Sequence, residues 1–214
     1  MFTYLLTYLL DFQKAFDKVP HGRLLLKVKV IGIGSLVANW IESWLSDRKQ
    51  RVVINGKCSD WSEVSSGVPQ GSVLVPRVFV IFIKDIEDGI CGNILKFADD
   101  TKLFFKVGSD INCAKLRADL RKLYNWSEDW QMFFNLDKCK IMHFGYNNHN
   151  NIFLLGRILE TVGEEKDLGV MIRKDLKASS QCVKIVKTAN QILGMIKRTF
   201  TFKTKDNLLQ LYKF

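Results

Sequence analysis

The sequence has few of the residues that build zinc sites and disulfide frameworks. It contains three histidines and five cysteines, and the cysteines are widely spaced with no C-x-x-C pair. Zinc sites need closely spaced Cys and His ligands, and a disulfide framework needs an even number of cysteines. Neither is predicted, and the chain is expected to be reduced and intracellular.

The apolar run at residues 1–10, MFTYLLTYLL, is too short for a membrane span. No basic region or small-residue cleavage site accompanies it, so we expect neither a signal peptide nor a membrane partner. A buried strand that ends at Asp11, followed by a helical pattern after Lys14, fits its Tyr, Leu and Thr content. Asp11 by itself would fit a helix N-cap equally well.

Acidic residues are outnumbered: 22 Asp and Glu stand against 32 Lys and Arg, for a net charge of +10. A basic chain indicates a polyanionic partner. Residues 184–205 contain no acidic residue, and Val186, Ala189, Leu193 and Ile196 form a helical apolar stripe among the basic ones. This pattern predicts one face that packs and one that meets phosphates. A solvated basic face is the alternative.

Two adjacent aspartates, Asp99 and Asp100, lie between strand-like apolar runs. Like charges this close disfavour ionisation of both unless a cation is present, and carboxylate oxygens suit Mg²⁺. A hairpin turn is the simpler alternative, because Asp is a favoured turn residue. A two-metal site that joins nucleotides needs a further carboxylate, for which Asp11 is the candidate.

A segment rich in Gly, Pro and Ser at residues 65–79 predicts a turn that enters an apolar helix. Ser72 is a plausible cap for a helix from Val73 to Ile86. Gln70 offers donor and acceptor groups to a base or sugar, and the glycines permit close approach to a ligand. A loop leading into a buried helix is the alternative interpretation.

The remaining pattern predicts an α+β fold. Asn55-Gly56 predicts the two-residue turn of a hairpin within residues 50–64. A further helix should span residues 112–130, and strands should span residues 140–144, 153–155 and 170–172. An earlier helix carries a stripe that we expect in the core, made of Val37, Trp40, Ile41, Trp44 and Leu45.

Five segments in order resemble the motifs of a reverse transcriptase of the non-LTR (LINE-like, jockey-type) retrotransposons. Residues 10–21 (LDFQKAFDKVPH), 66–76 (SGVPQGSVLVP) and 97–104 (FADDTKLF) resemble motifs A, B and C. Residues 125–145 resemble motif D, and residues 164–182 resemble motif E with the start of the thumb. The resemblance implies a palm with a ferredoxin-like antiparallel sheet and helices over residues 1–178, a partial helical thumb over residues 179–214, and largely missing fingers.

The resemblance also implies roles for individual residues. Asp11 and Asp99 would be the main ligands of two Mg²⁺ ions, with Mn²⁺ as a substitute, and Asp100 would support them. Phe12, Phe16, Gln70 and Gly71 would line the dNTP and template pocket, with Phe16 under the sugar, where its ring excludes a 2′-hydroxyl. Either Lys138 or Lys140 would protonate the leaving pyrophosphate. The primer grip would be Leu168, Gly169 and Val170, and the contacts to the nucleic-acid backbone would be Lys184, Lys187, Lys197 and Arg198.

The implied partners are an RNA template, a DNA primer and dNTPs, and the implied location is the nucleus. Motif B departs from the usual pattern at Val75, where Gly is common, and at Arg77, where an apolar residue is common. Val75 would restrict the backbone near the template, and Arg77 would place a charge on an apolar helix. The alternative function is therefore a truncated, catalytically weak or inactive remnant that only binds nucleic acid.

Overall fold

A computed structural model of the chain describes residues 4–107, 109–145, 153–154 and 157–200. The chain divides into two compact units, Met1–Val162 and Gly163–Phe214. The described helices of the first unit are α1 (His21–Val30), α2 (Ser35–Leu45), α3 (Leu74–Phe82) and α4 (Asp110–Trp130), with a 3₁₀ helix at Lys84–Glu87. Its described strands are β1 (Tyr4–Leu10), β2 (Lys49–Gln50), β3 (Val53–Ile54), β4 (Lys57–Cys58), β5 (Ser62–Glu63), β6 (Asn93–Phe97), β7 (Asp100–Val107), β8 (Lys140–Phe144), β9 (Phe153–Leu154), β10 (Arg157–Ile158) and β11 (Glu160–Thr161).

A five-stranded sheet in the order β11-β8-β1-β7-β6 forms the centre of the first unit. β1 is antiparallel to both neighbours, and β6 and β7 form a hairpin, whereas β11 runs parallel to β8. The sheet is therefore mixed, and the expectation of a wholly antiparallel sheet was wrong at this edge. The predicted strand that ends at Asp11 is confirmed, and it is the central strand because its apolar residues suit burial on both faces.

Thr7 and Met142 are buried on one face of this sheet, and most of the core lies on the other. Leu6, Tyr8 and Leu10 of β1 are buried there, and α4 contacts β7 and buries its own apolar stripe. That stripe includes Leu116, Leu120 and Leu123, whose spacing follows the 3.6-residue period of a helix.

The helix expected after Lys14 begins only at His21. Lys14 has a φ of +48°, in the left-handed region that interrupts a right-handed helix. The carbonyl of Phe16 accepts from Val68 N, so this backbone bonds a distant segment instead of its own next turn. The helical interpretation of residues 14–20 was wrong for that reason.

The buried stripe of α2 is shifted from the predicted one. Ile41 and Leu45 are buried as expected, and they are joined by Ala38. Val37 and Trp40 are each 52% exposed, and Trp40 stacks on Trp44 with ring centroids 6.0 Å apart. The expectation that Val37 and Trp40 belong to the core was wrong among the described residues.

α3 is shorter than the predicted helix from Val73 to Ile86. It ends at Phe82, after which the chain tightens into the 3₁₀ helix. Ser72 Oγ accepts a hydrogen bond from Val75 N at 3.3 Å, as the expected cap would. Val75 is buried within the helix and Arg77 is exposed, so neither departure strains the backbone or buries a charge.

Asn55 and Gly56 have φ values of +48° and +79° and connect β3 to β4, which confirms the predicted turn. The flanking strands β2 and β5 pair with each other, and all four of these short strands are exposed.

The second unit joins a hairpin to a helix. Its elements are β12 (Glu164–Asp167), β13 (Val170–Arg173) and α5 (Ser179–Thr199). Gln181 Oε1 accepts from Met171 N at 2.8 Å, and Ser180 Oγ donates to Glu164 Oε2 at 2.8 Å. The hairpin therefore groups with α5, and the division between the units at Val162 differs from the boundary expected at residue 178. The predicted apolar stripe of α5 is not buried within the described part of the chain.

A buried hydroxyl offers a stability prediction. Thr101 Oγ1 is buried on the core face and has no hydrogen-bond partner among the described residues. Because a buried unsatisfied polar group costs about 1–3 kcal/mol, Thr101→Val should raise the free energy of unfolding by about 1 kcal/mol. Urea unfolding measures the change. Thr161→Val on the exposed strand β11 is the matched control, and an equal gain in both variants would contradict the explanation.

Candidate active site

The register of the two central strands brings the three aspartates to one end of the sheet. Leu10 pairs with Thr101, so one further antiparallel step sets Asp11 opposite Asp100. Asp99 lies in the turn between β6 and β7, beside Ala98, whose φ is +53°. Asp99 and Asp100 follow Asp11 by 88 and 89 residues in the sequence, and the sheet brings their backbones to the same edge.

Two of these carboxylates, Asp11 and Asp100, share a face of the sheet with two lysines. Leu9 pairs with Lys102 on one side and with Lys140 on the other. Because side chains alternate along a strand and cross-strand partners share a face, Lys102, Lys140, Asp100 and Asp11 lie on the face opposite the core. The candidate site is therefore carried by three adjacent strands.

The turn before β8 holds the backbone of Asp11. Asn135 N donates to Asp11 O at 2.7 Å, and Asp11 N donates to Cys139 Sγ at 3.5 Å. Lys138 Nζ lies 3.0 Å from Asp11 Oδ2. Three contacts thus fix Asp11 from one short segment of the chain.

Lys138 responds electrostatically to all three aspartates. Its hydrogen bond to Asp11 is the main cause that raises the pKa of Lys138, followed by the charge of Asp11, while Asp99 and Asp100 contribute further. Lys138 is therefore in direct contact with Asp11 and feels the charges of the other two aspartates. Of the two lysines that the sequence left open, Lys138 contacts Asp11, and Lys140 lies on β8 beside Leu9.

Cys139 contacts the backbone of Asp11 and was not identified as a site residue from the sequence. Its side chain is buried, and burial is the main reason that its pKa rises to about 11, while the hydrogen bond with the Asp11 backbone acts in the opposite direction. A neutral thiol is therefore maintained behind Asp11. Its position between the two candidate lysines was the only signal in the sequence.

The glycine-rich segment docks on the chain that follows Asp11. Val68 N donates to Phe16 O at 2.7 Å, and Gly67 N donates to Val19 O at 2.9 Å. Gly67 has a φ of +85°, and a Cβ at this position would lie 2.5 Å from Asp17 O. Only glycine fits this approach, so the contact itself requires the residue.

The proposed nucleotide-pocket residues have different environments. Gln70 is exposed, and its Nε2 donates to Asp17 Oδ1 at 3.1 Å, while Gly71 follows with a φ of +87°. Asp17 was not singled out from the sequence. Phe16 is half-buried, and its ring centroid lies 4.7 Å from that of Phe79.

The ring of Phe12 belongs to the core. Its side chain is 2% exposed and stacks on Phe134 with centroids 4.9 Å apart. Because Phe134 and Trp126 enclose the ring, it presents no exposed face to a nucleotide in this structure.

The expected primer grip and the basic helix lie in the second unit. Leu168 and Gly169 form the turn between β12 and β13, with φ values of +43° and +89°. Leu168 and Val170 are both exposed. On α5, Lys184 is half-buried, and Lys187, Lys197 and Arg198 are exposed.

The donor chemistry of the aspartates fits Mg²⁺, although no metal geometry is formed. Among the described residues, no group of three or more His, Cys, Asp or Glu is placed to hold a metal ion. The Lys138 ammonium occupies the position of a cation against Asp11 instead. Hard carboxylate oxygens are nevertheless the ligand type that Mg²⁺ prefers.

The comparisons with known proteins follow the same motifs. Residues 3–195 match the reverse transcriptase (RNA-dependent DNA polymerase) family, and the chain belongs to that family. It is related to the polymerases of the jockey, BS and X-element non-LTR retrotransposons, as the sequence resemblance predicted.

Two relatives show how much of such a protein the chain represents. It is 30% identical over 189 residues to the RNA-directed DNA polymerase from mobile element jockey of Drosophila melanogaster, covering 82% of this chain and 20% of the relative. The probable RNA-directed DNA polymerase from transposon BS of the same species is 29% identical over 183 residues, covering 78% and 20%. The chain thus spans about a fifth of the length of these curated relatives.

Solved structures support the fold. A telomerase from Candida tropicalis, truncated from its C-terminal domain, matches with a TM-score of 0.57 at 16% identity, over 83% of this chain and 35% of that one. A telomerase from Candida albicans matches with a TM-score of 0.53 at 15% identity, over 80% and 30%. The fold is α+β and similar to that of telomerase reverse transcriptase. Within the described residues, no helix combines the length and apolarity that crossing a membrane requires.

The buried thiol beside Asp11 predicts a labelling pattern. Cys58, Cys91 and Cys182 are exposed, whereas Cys113 and Cys139 are buried. Because the thiolate is the reactive form, Cys139 should react with a disulfide reagent at pH 8 at least tenfold more slowly than Cys58. Mass spectrometry of labelled peptides measures the rates.

The pH dependence of this labelling has a definite direction. Folding raises the pKa of Cys139 to about 11. At pH 8 the buried thiol is therefore neutral and protected from the reagent, and both this protection and the stability it contributes to the folded state are lost as the pH rises toward 11. In denaturant all the thiols should react alike. Equal rates for Cys139 and Cys58 in the folded protein would contradict the buried position.

Proposed function

We propose that this chain carries the polymerisation site of an RNA-directed DNA polymerase, which transfers a nucleotide from a dNTP to a primer 3′-hydroxyl. The observation that carries the proposal is that strand register brings Asp11, Asp99 and Asp100 to one end of the sheet, where Lys138 pairs with Asp11. Two strands of fixed register supply these groups, which gives them the rigid placement that catalysis by positioning needs.

Asp11 and Asp99 are the proposed ligands of two divalent ions, and Asp100 supports them from the same hairpin. The ions, Mg²⁺ or Mn²⁺, supply activation of the primer hydroxyl and stabilise charge on the departing pyrophosphate. Lys138 is favoured over Lys140 as the group that gives a proton to the pyrophosphate, because its Nζ already lies 3.0 Å from Asp11.

The pocket for the incoming nucleotide is proposed between the segment after Asp11 and the glycine-rich segment. Phe16 is held by its ring contact with Phe79 and by the Val68 hydrogen bond, so its ring can exclude a 2′-hydroxyl. Gln70 is exposed and is oriented by Asp17, and Gly71 leaves the adjacent backbone accessible. These contacts support a pre-organised pocket without Phe12.

We assign residues 1–178 to a ferredoxin-like palm and residues 179–214 to part of a thumb. The turn at Leu168, Gly169 and Val170 is the proposed primer grip, since it presents exposed side chains on a tight hairpin. The helix α5 is the proposed contact to the backbones of the RNA template and DNA primer. It carries four basic residues, Lys184, Lys187, Lys197 and Arg198, and none of its residues is buried.

Substituting a metal ligand tests the polymerase assignment. Asp99→Asn should reduce Mg²⁺-dependent dNTP incorporation on a primed poly(rA) template by roughly a hundredfold or more, because a metal ion supplies several kcal/mol of transition-state stabilisation. Asp60→Asn, an exposed aspartate in the hairpin region, is the matched control and should retain activity.

Two results would change the assignment. Undiminished incorporation by Asp99→Asn would refute the proposed role of that residue. No incorporation by the unmodified chain, with salt-sensitive RNA binding retained, would favour the alternative of a nucleic-acid-binding remnant.

The basic face of α5 predicts a specific salt dependence. Each phosphate contact to a single strand contributes about −0.7 to the slope of log K against log salt. Replacing exposed Lys187 and Lys197 together by Gln should therefore make the slope for single-stranded RNA shallower by about 1.4. Fluorescence anisotropy at several salt concentrations measures the slope.

The control for this experiment removes the same charge elsewhere. Lys29 and Lys57 are exposed lysines of the first unit. Replacing both by Gln should leave the slope nearly unchanged. An equal change in both double variants would show that net charge, and not α5, determines the binding.

A further inference from the structure

We propose that the Lys138 ammonium is a resident counter-ion of Asp11 and competes with divalent metal for that carboxylate. Metal binding would then displace Lys138, so that the two events are coupled. This inference rests on the proposed metal role of Asp11 and adds a regulatory contact to that site.

The ion pair with Lys138 occupies one carboxylate oxygen of Asp11, Oδ2. Lys138 Nζ lies 3.0 Å from Asp11 Oδ2, within the range of a charge-assisted hydrogen bond. A cation bound to this oxygen would come close to the ammonium, and like charges at that separation repel. Asp11 therefore cannot serve both cations at full strength.

The exposure of the two side chains makes displacement feasible. The Asp11 side chain is 24% exposed, whereas that of Lys138 is 67% exposed. The lysine can swing into water without opening the core or breaking a buried contact. Its departure costs little beyond the ion pair itself, since exposed pairs are weak.

The backbone keeps the displaced lysine near the site. Asn135 O accepts from Lys138 N and from Cys139 N, each at 3.0 Å, and Asn135 N donates to Asp11 O at 2.7 Å. The main chains of Lys138 and Asp11 are thus linked through one residue. Only the lysine side chain needs to move.

The charge balance supplies the reason for a resident cation. Lys138 Nζ lies 3.0 Å from Asp11 Oδ2, and the register of β1 and β7 brings Asp100 to the same end of the sheet, so negative charge accumulates where a cation is favourable. In the metal-free protein Lys138 supplies that cation. A divalent ion would supply more charge and direct coordination, and it would make the lysine unnecessary there.

Metal affinity tests the competition without measuring catalysis. Lys138→Met removes the charge and keeps an unbranched apolar side chain. We therefore expect the Kd for Mn²⁺ to fall about tenfold, because one neighbouring charge commonly changes an ionic equilibrium by this factor. Calorimetry or Mn²⁺ electron paramagnetic resonance measures it. Lys18→Met is the matched control, because Lys18 Nζ contacts Gln13 Oε1 instead, and its Kd should stay unchanged.

Lysine reactivity gives a second readout that needs no variant. An ammonium held against a carboxylate is protected from acetylation, so saturating Mn²⁺ should speed acetylation of Lys138 severalfold in the unmodified chain. Lys18 should not respond. Peptide mass spectrometry after brief acetylation gives both rates, and it remains valid even if Lys138→Met folds poorly.

The outcomes separate this inference from the function on which it rests. Mn²⁺ binding that is lost in Asp99→Asn but equal in Lys138→Met and the unmodified chain would overturn the competition alone. Unchanged acetylation of Lys138 at saturating Mn²⁺ would do the same. Failure of the unmodified chain and of Lys138→Met to bind Mn²⁺ would overturn the metal role of the aspartates, and the competition with it.

Discussion

β1 pairs with β7 along its whole length, from Tyr4 opposite Val107 to Leu10 opposite Thr101, and the candidate site depends on that register. A slip of one residue would move every side chain of β1 to the other face. Tyr8 would leave the core, and Asp11 would no longer lie opposite Asp100. Burial of Leu6, Tyr8 and Leu10 therefore holds the geometry of the candidate site in place as well as stabilising the sheet.

The chain after Asp11 is the second structural constraint, because two distant loops bind to it. The turn before β8 binds Asp11 through Asn135 and Cys139, and the glycine-rich segment binds Phe16 and Val19 through main-chain hydrogen bonds. The left-handed backbone at Lys14 interrupts a helix there, so the carbonyls of Phe16 and Val19 accept hydrogen bonds from the glycine-rich segment and not from a following helical turn. The non-helical segment after Lys14, where the sequence predicts a helix, therefore allows three segments of the chain to contact one another at the site.

A buried lysine away from the site also joins segments that are distant in the sequence. Lys27 of α1 donates to Phe82 O, pairs with Asp85 and lies 3.6 Å from the ring centroid of Trp130. Burial lowers the pKa of Lys27, although Asp85 opposes this effect. The lysine connects α1 to the segment around α3 and to α4, and nothing in its local sequence marks it as a core residue.

Short-range patterns determined a large part of this protein. The run before Asp11, the Asp99-Asp100 turn, the Asn55-Gly56 turn and the period of α4 were readable because each depends on neighbouring residues. The ordered motifs also indicated the reverse transcriptase family. Only the tertiary structure decided that Phe12 is enclosed by Phe134, that Lys138 contacts Asp11, and that Gly67 meets Asp17. These facts depend on contacts between residues far apart in the chain, which no local pattern encodes.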